Sequence, residues 1–318
     1  MNKLKLVDML TWMRPAYSHA EADFCEMYLE PVFGKPDCHG NYVLIVGDYP
    51  NVCFTAHTDT VHRQEGIQTL AITNDIVSTV DGSCLGADCT TGLWLMLGMI
   101  EAGVDGVYVA HAAEEIGGIG STALVKDNPS WLQDLDFVIS FDRYGIDSII
   151  TSQSGMTTAS DDFAISLAGI LDMPQLVPDP TGTYTDSYEY AGVVSECTNI
   201  SVGYYNQHTT KETQDLAYAQ TLLVQLCQAD WSSLDAYRDP TIVDKTFTYR
   251  GEANLSMSDM QEIDALERLV IDRPSVVADL LFEYGFNVTD MCEELDLSFA
   301  DLDMYRGLTD YSYHYNPY

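Results

Sequence analysis

Residues 52–60 read VCFTAHTDT, an apolar run that ends on a histidine and, two positions later, an aspartate. Three further runs end in the same way: VYVAHAAEE at 107–115, FVISFD at 137–142 and ISVGYYNQH at 200–208. Short runs rich in β-branched and aromatic residues read as buried strands, which predicts strands over 42–46, 52–56, 107–112, 137–141 and 200–204. Helical patterns occupy 90–102 and 213–229. Strand and helix in alternation predict an α/β layered domain with a mostly parallel sheet. Sites in such sheets form beyond the carboxyl ends of the strands. If the four runs are neighbours, one rim receives His57, the pair Glu114 and Glu115, Asp142 and His208. A fifth candidate, Asp88, closes LGAD (85–88) just ahead of the 90–102 helix.

Of 318 residues, 46% are hydrophobic, enough for a sizeable core. Lys and Arg number 14 against 49 Asp and Glu, a net charge of -35. Such an excess repels phosphates, so neither nucleic acid nor an anionic membrane is an expected partner. The longest apolar run, GLWLMLGMI at 92–100, is far shorter than the ~20 residues of a bilayer span. The start, MNKLKLVDMLTWMRP, has no apolar signal core. The eight cysteines form no CxxC pair, and several sit in apolar runs, as reduced buried thiols do. A cytoplasmic protein is expected.

The candidate set is imidazole and carboxylate without thiolate, which suits Zn²⁺, Co²⁺ or Mn²⁺. Five side chains exceed the three protein ligands common at a catalytic zinc, but they fit two ions if one carboxylate bridges. Two ions roughly 3.5–4 Å apart polarise a carbonyl and activate water together. Adjacent Glu114 and Glu115 diverge in direction, so one binds metal while the other serves as general base. Taken singly, each residue has a plainer reading. A strand-end histidine is commonly structural, a Glu-Glu pair is commonly solvated, and an aspartate before a helix is commonly its N-cap. Five in one order, four of them at strand ends, outweigh those readings.

The motifs AHTDT (56–60), CLGADCTTG (84–92), AAEEIGGIGS (112–121), FDRYG (141–145) and SVGYYNQHTTKE (201–212) occur in that order. Together they resemble the di-zinc exopeptidases, the superfamily that includes bacterial leucyl aminopeptidases and tripeptidases. The resemblance covers roughly residues 4–230. It implies a three-layer α/β/α sandwich with a mixed, mostly parallel central sheet, and a metallo-exopeptidase activity. Carried over residue by residue, His57, Asp88 and Asp142 would hold one divalent ion, and Asp88, Glu115 and His208 the other, with Asp88 bridging. Asp59 would orient His57. Glu114 would be the general base that takes a proton from the attacking water and returns it to the leaving amine. Asp186 and Ser187, in TGTYTDSYEYAG (181–192), resemble an Asp-containing loop of the family and would contact substrate or brace the ligands. Cys89 departs from the Asp or Met common in relatives after the bridging residue, at a bond that is often cis in the family.

The spacing narrows the branch. His57 and Asp88 are 31 positions apart, too few for the extra β domain some aminopeptidases insert there. Asp142 and His208 are 66 apart, too few for the dimerising lid of the carboxypeptidase and deacylase branch. A lidless, single-domain aminopeptidase is therefore expected over 1–240, its acidic site holding the free ammonium of a peptide. The alternatives are a deacylase or amidase acting on N-acylated small molecules, and a binding protein that keeps the fold without turnover. Residues 253–318 carry 14 acids against three arginines and a stripe of Met260, Ile263, Leu266 and Val270 at helical spacing. They are expected to form a small acidic helical appendage that serves a protein partner or self-association. The stretch 291–308 has the rhythm of a helix-turn-helix, but Asp301 and Asp303 would repel DNA.

Overall fold

The computed structural model describes residues 3–48 and 50–242. The appendage expected at 253–318 lies outside the described residues. Seven strands make the central sheet: β1 (Tyr42–Val46), β2 (Val52–His57), β3 (Gly106–His111), β4 (Phe137–Arg143), β5 (Ser148–Ile150), β6 (Val177–Asp179) and β7 (Glu196–Ser201). Their spatial order is β6-β5-β7-β4-β2-β3-β1. β7, β4, β2 and β3 are parallel neighbours. A parallel pairing also joins β5 to β6, and antiparallel ones join β5 to β7 and β1 to β3. The sheet is mixed and mostly parallel, as the sequence predicts.

The inner strands are apolar on both faces because both faces are covered. Phe54, Ala56, Tyr108, Ala110, Ile139 and Phe141 point to one core, while Cys53, Val107, Val109, Val138 and Cys197 point to the other. The first core is closed by α1 (Lys3–Met9), α2 (His19–Tyr28), α3 (Ala87–Ala102), α5 (Asp161–Ile170) and α6 (Leu216–Gln228). The second is thinner, closed by α4 (Ile119–Asp127) and by 3₁₀ turns at Ser130–Asp134 and Asp186–Gly192. The result is the expected α/β/α layering.

α3 is buried at every position from Ala87 to Met99, as befits a helix that is apolar all round. It lies across β2 and β4. Its approach to β4 requires Gly92, where a Cβ would sit 2.2 Å from the Phe141 carbonyl oxygen. Trp94 in the same helix is fully buried. Among the described residues no helix is long and apolar enough to cross a membrane.

Two elements differ from the sequence reading. The strand expected at 200–204 runs instead over Glu196–Ser201. Its polar residues are buried and partnered: the Glu196 carboxylate accepts from Ser160 and from the Tyr237 and Arg238 amides, and the Thr198 hydroxyl donates to the Ile150 carbonyl. An apolar-run criterion passes over such a strand. The helix expected from 213 begins at Leu216, because Asp215 caps it by accepting from the Ala217 and Tyr218 amides. Thr213–Asp215 instead joins a four-stranded antiparallel sheet with Tyr204–Tyr205, Ile76–Thr79 and Leu70–Thr73. That small sheet fixes the loop that carries His208.

Candidate active site

The four parallel neighbours bring their carboxyl ends to one rim. His57 closes β2, and Asp142 sits near the end of β4. Glu114 and Glu115 follow β3 after a turn in which Ala113 adopts a left-handed φ of 60°. His208 lies on the loop between Tyr204–Tyr205 and Thr213–Asp215 and has a φ of 60°. Asp88 opens α3 with non-helical backbone angles, and the peptide bond between it and Cys89 is cis.

Asp88 stands at the centre. Its Oδ1 is 3.0 Å from His57 Nε2 and its Oδ2 is 3.1 Å from His208 Nε2. One carboxylate therefore faces both imidazoles, a separate oxygen toward each. Asp142 Oδ1 lies 3.5 Å from His57 Nε2, and Glu115 Oε1 lies 3.3 Å from His208 Nε2. Both of these oxygens are buried, and among the described residues neither accepts a hydrogen bond. Glu114 Oε2 is 3.9 Å from His57 Nε2. All five predicted ligands and the predicted base thus share one cluster.

Asp59 does more than the sequence suggests. His57 Nδ1 is hydrogen-bonded to the Asp59 backbone carbonyl at 3.0 Å, and Asp59 Oδ1 lies 3.3 Å from the same nitrogen. The same carboxylate accepts the Glu114 amide on Oδ1 and the Glu115 amide on Oδ2, each at 3.1 Å. One buried residue thereby meets the imidazole through its carbonyl and carboxylate, and its side chain ties down the backbone of both glutamates. Asp142 is held by the Thr185 hydroxyl, which donates to its Oδ2 at 2.7 Å, and by its own amide, which donates to Asn199 Oδ1 at 2.9 Å.

Burial alone would raise the Asp88 carboxyl, yet the imidazoles of His208 and His57 hold it well below the usual carboxylate range. Burial drives Glu114 well above that range; His57 offsets part of this, while the charges of Asp142 and Glu115 add to it. Protons shared between histidines and crowded acids are what a divalent cation displaces on binding. The donors suit such a cation: two imidazoles and three carboxylates, two of whose buried oxygens have no hydrogen-bond donor among the described residues. Donor atoms of His57, Asp88 and Glu115 lie within 4.8 Å of one another. Cys89 Sγ also comes near His57 and Asp142, but its thiol is fully buried and donates to the Phe141 carbonyl at 3.1 Å. Burial pushes that thiol well above its ordinary pKa, which opposes the thiolate a ligand would need.

A cavity of about 80 Å³ opens on the cluster, lined among others by Glu114, Asp142, Arg143, Tyr184, Asn199 and His208. Asp186 is buried, among the described residues neither of its oxygens has a hydrogen-bond partner, and burial raises its carboxyl to about 7. Ser187 is buried against Gln153, whose Nε2 donates to its hydroxyl at 3.1 Å. Neither residue lines the cavity; their neighbours Thr183 and Tyr184 do. His111 is a core histidine, bonded to the Tyr190 hydroxyl and to Asn41 Oδ1. Three side chains that support the site escaped the sequence reading: Thr185, Asn199 and Glu212. Thr185 and Glu212 lie within quoted stretches, one beside Asp186 and the other four positions after His208, whereas Asn199 left no signal.

No family model matches the chain, and no curated protein does. Solved structures do. The aminopeptidase PepT of Bacillus cereus is 16% identical, with 72% of this chain and 98% of that one covered and a TM-score of 0.58. A tripeptidase of Staphylococcus aureus is 14% identical, with 72% and 97% covered and a TM-score of 0.56. The Pyrococcus horikoshii TET1 peptidase, which can assemble into a tetrahedron or a large octahedral shell, is 13% identical, with 72% and 100% covered and a TM-score of 0.56. The chain has the fold of these aminopeptidases, which is the fold its motifs imply.

Proposed function

We propose that this protein is a two-metal aminopeptidase that removes amino-terminal residues from peptides. The observation that carries the reading is Asp88, which presents one oxygen toward His57 and the other toward His208. His57, Asp88 and Asp142 would hold one ion, and Asp88, Glu115 and His208 the other. Zinc is the first candidate, with cobalt and manganese compatible with the same donors. When bound, such a pair supplies Lewis-acid polarisation of the scissile carbonyl and a lowered pKa for the attacking water.

The remaining work falls to the chain's own side chains. Glu114 takes the proton of the attacking water and returns it to the leaving amine. Its burial and acidic surroundings favour a carboxyl that holds a proton readily, as that role requires. Asp59 keeps His57 and the Glu114 backbone in register. The acidic cavity wall favours a free substrate ammonium over an acylated nitrogen. A cytoplasmic setting fits the reduced, largely buried cysteines. Self-association, the habit of the TET1 peptidase, is part of the reading, as is the role of residues 253–318 in partner contact.

Matched short peptides with free or acetylated amino termini, offered to the zinc-loaded protein and followed by mass spectrometry, test the proposal. Loss of the first residue from the free set alone is expected. Loss of acetyl groups alone moves the protein to the deacylase class. Bound zinc with neither set touched leaves a binding protein of this fold.

A further inference from the structure

Four consecutive amides at the start of α3 need acceptors, since the opening N–H groups of a helix have no partner within it. A Ser, Thr, Asp or Asn side chain at the cap position ordinarily supplies one. Here the cap position is Gly86, which has no side chain to offer. The acceptor comes from far along the chain: Glu212 Oε2 accepts from the Leu85 and Gly86 amides at 2.8 and 3.0 Å, and Glu212 Oε1 from the Ala87 and Asp88 amides at 2.9 and 3.4 Å. Glu212 is 1% exposed.

We infer that Glu212 is a positioning residue for the bridging carboxylate: it supplies the cap that Gly86 cannot, grips the Asp88 backbone, and so holds both Asp88 oxygens toward the metal pair. The inference rests on the two-metal reading of the site. An acceptor at the positive end of α3 is favourable in itself, and here it comes from a residue remote in sequence. Asp88 turns its oxygens to His57 and His208. Glu212 also stands four positions after His208, on the loop that the pairing of Thr213–Asp215 with Ile76–Thr79 ties down. The same short loop therefore delivers one metal ligand and grips the backbone of another. It fixes the distance between His208 and Asp88 from both ends.

A cap that only stabilised the helix would have a different signature from one that positions a ligand. The test uses the purified full chain and zinc itself, with affinity measured by competition against a chromophoric chelator and stability by thermal unfolding. Glu212→Ala is the direct variant. Glu212→Gln is isosteric and keeps the shape of the fold, but it retains a single acceptor oxygen for four amides. Wild type is expected to bind two zinc ions. Both variants are expected to weaken the weaker of the two sites by about 10–100-fold while remaining folded, the usual consequence of removing a group that orients a ligand. The Gln variant should fall between wild type and Ala.

Folded Glu212→Gln protein with a lower melting temperature and zinc affinities within about twofold of wild type would reduce Glu212 to an ordinary cap and overturn the inference. Failure of the two-metal reading looks different. Wild type itself would then bind fewer than two zinc ions, before any variant is made.

Discussion

His57 and His208 reach the same carboxylate from opposite sides, and the two sides are built to different standards. His57 ends an interior strand and is 1% exposed, with its second nitrogen facing Asp59. His208 sits on a loop at a left-handed backbone angle, with 40% of its side chain exposed. Among the described residues nothing is hydrogen-bonded to its Nδ1. One half of the site is fixed by the sheet, and the other is hung from a loop that a small antiparallel sheet and Glu212 hold in place. Interior strands give precision, whereas loops permit adjustment and exchange.

The sharpest consequence concerns the proposed base. Glu114 belongs to the fixed half, because its amide is tied to the same Asp59 that faces His57. Glu114→Gln keeps the side-chain shape and both proposed sets of ligands but removes the proposed proton acceptor. Turnover of the free-terminus peptides is expected to fall by about 10²–10⁴-fold, with zinc content by mass spectrometry unchanged. Activity close to wild type in this variant would remove Glu114 from the mechanism.

Next in size is an asymmetry in metal retention. His57→Ala removes the imidazole that faces Asp88 and Asp142 in the buried half; His208→Ala removes a half-exposed one that faces Asp88 and Glu115. Stepwise chelation of wild type is expected to release one ion well before the second. His208→Ala should abolish the early-leaving ion and keep the late one, whereas His57→Ala should lose the late one. The spread between the two sites is expected to be about 10–100-fold in affinity, the range that ligand-orienting groups typically control. Simultaneous release of both ions would show the halves to be equivalent.

Much of this was legible in the residues, for reasons that differ by element. The parallel strands announce themselves because both faces are buried, so VCFTAH, VYVAH and FVISF are apolar without interruption. Their polar terminators then mark the rim. β7 was misplaced because its inner positions are Glu196, Thr198 and Asn199, each satisfied by a partner remote in sequence. The small antiparallel sheet was missed because its strands are two to four residues long and alternate weakly. Thr185 and Asn199 each act through one long-range bond to Asp142, and Glu212 through four to the turn that carries Asp88. No periodicity encodes such bonds. The second job of Asp59, holding the Glu114 and Glu115 amides, is hidden for the same reason.

The smallest effect concerns what lies beneath the fixed half. His111 is the cross-strand neighbour of His57 in β2 and β3 and is fully buried. Tyr190 and Asn41 bond its two nitrogens. Burial, aided by the charge on His57, lowers its pKa to about 3. An unfolded chain protonates this histidine near the ordinary value, while the folded chain leaves it neutral. The unfolded state therefore binds the extra proton, and the contribution of His111 to stability is complete above about pH 6.5 and declines as pH falls toward about 3, by about 1.4 kcal/mol per pH unit. His62, lowered to about 4 by burial, slopes in the same direction, whereas Asp186 and Glu212, both raised to about 7, slope in the opposite one. The total pH dependence of wild type is thus a sum of opposed effects. Comparison with His111→Gln isolates one of them, because the other groups are common to both proteins. Urea unfolding across the acid range is expected to show the stability difference between the two proteins moving in favour of the Gln variant by about 1.4 kcal/mol for each pH unit below about 6. A difference that stays constant with pH would mean that His111 takes up a proton as easily in the fold as outside it, and that the support beneath His57 is wetter than its burial implies.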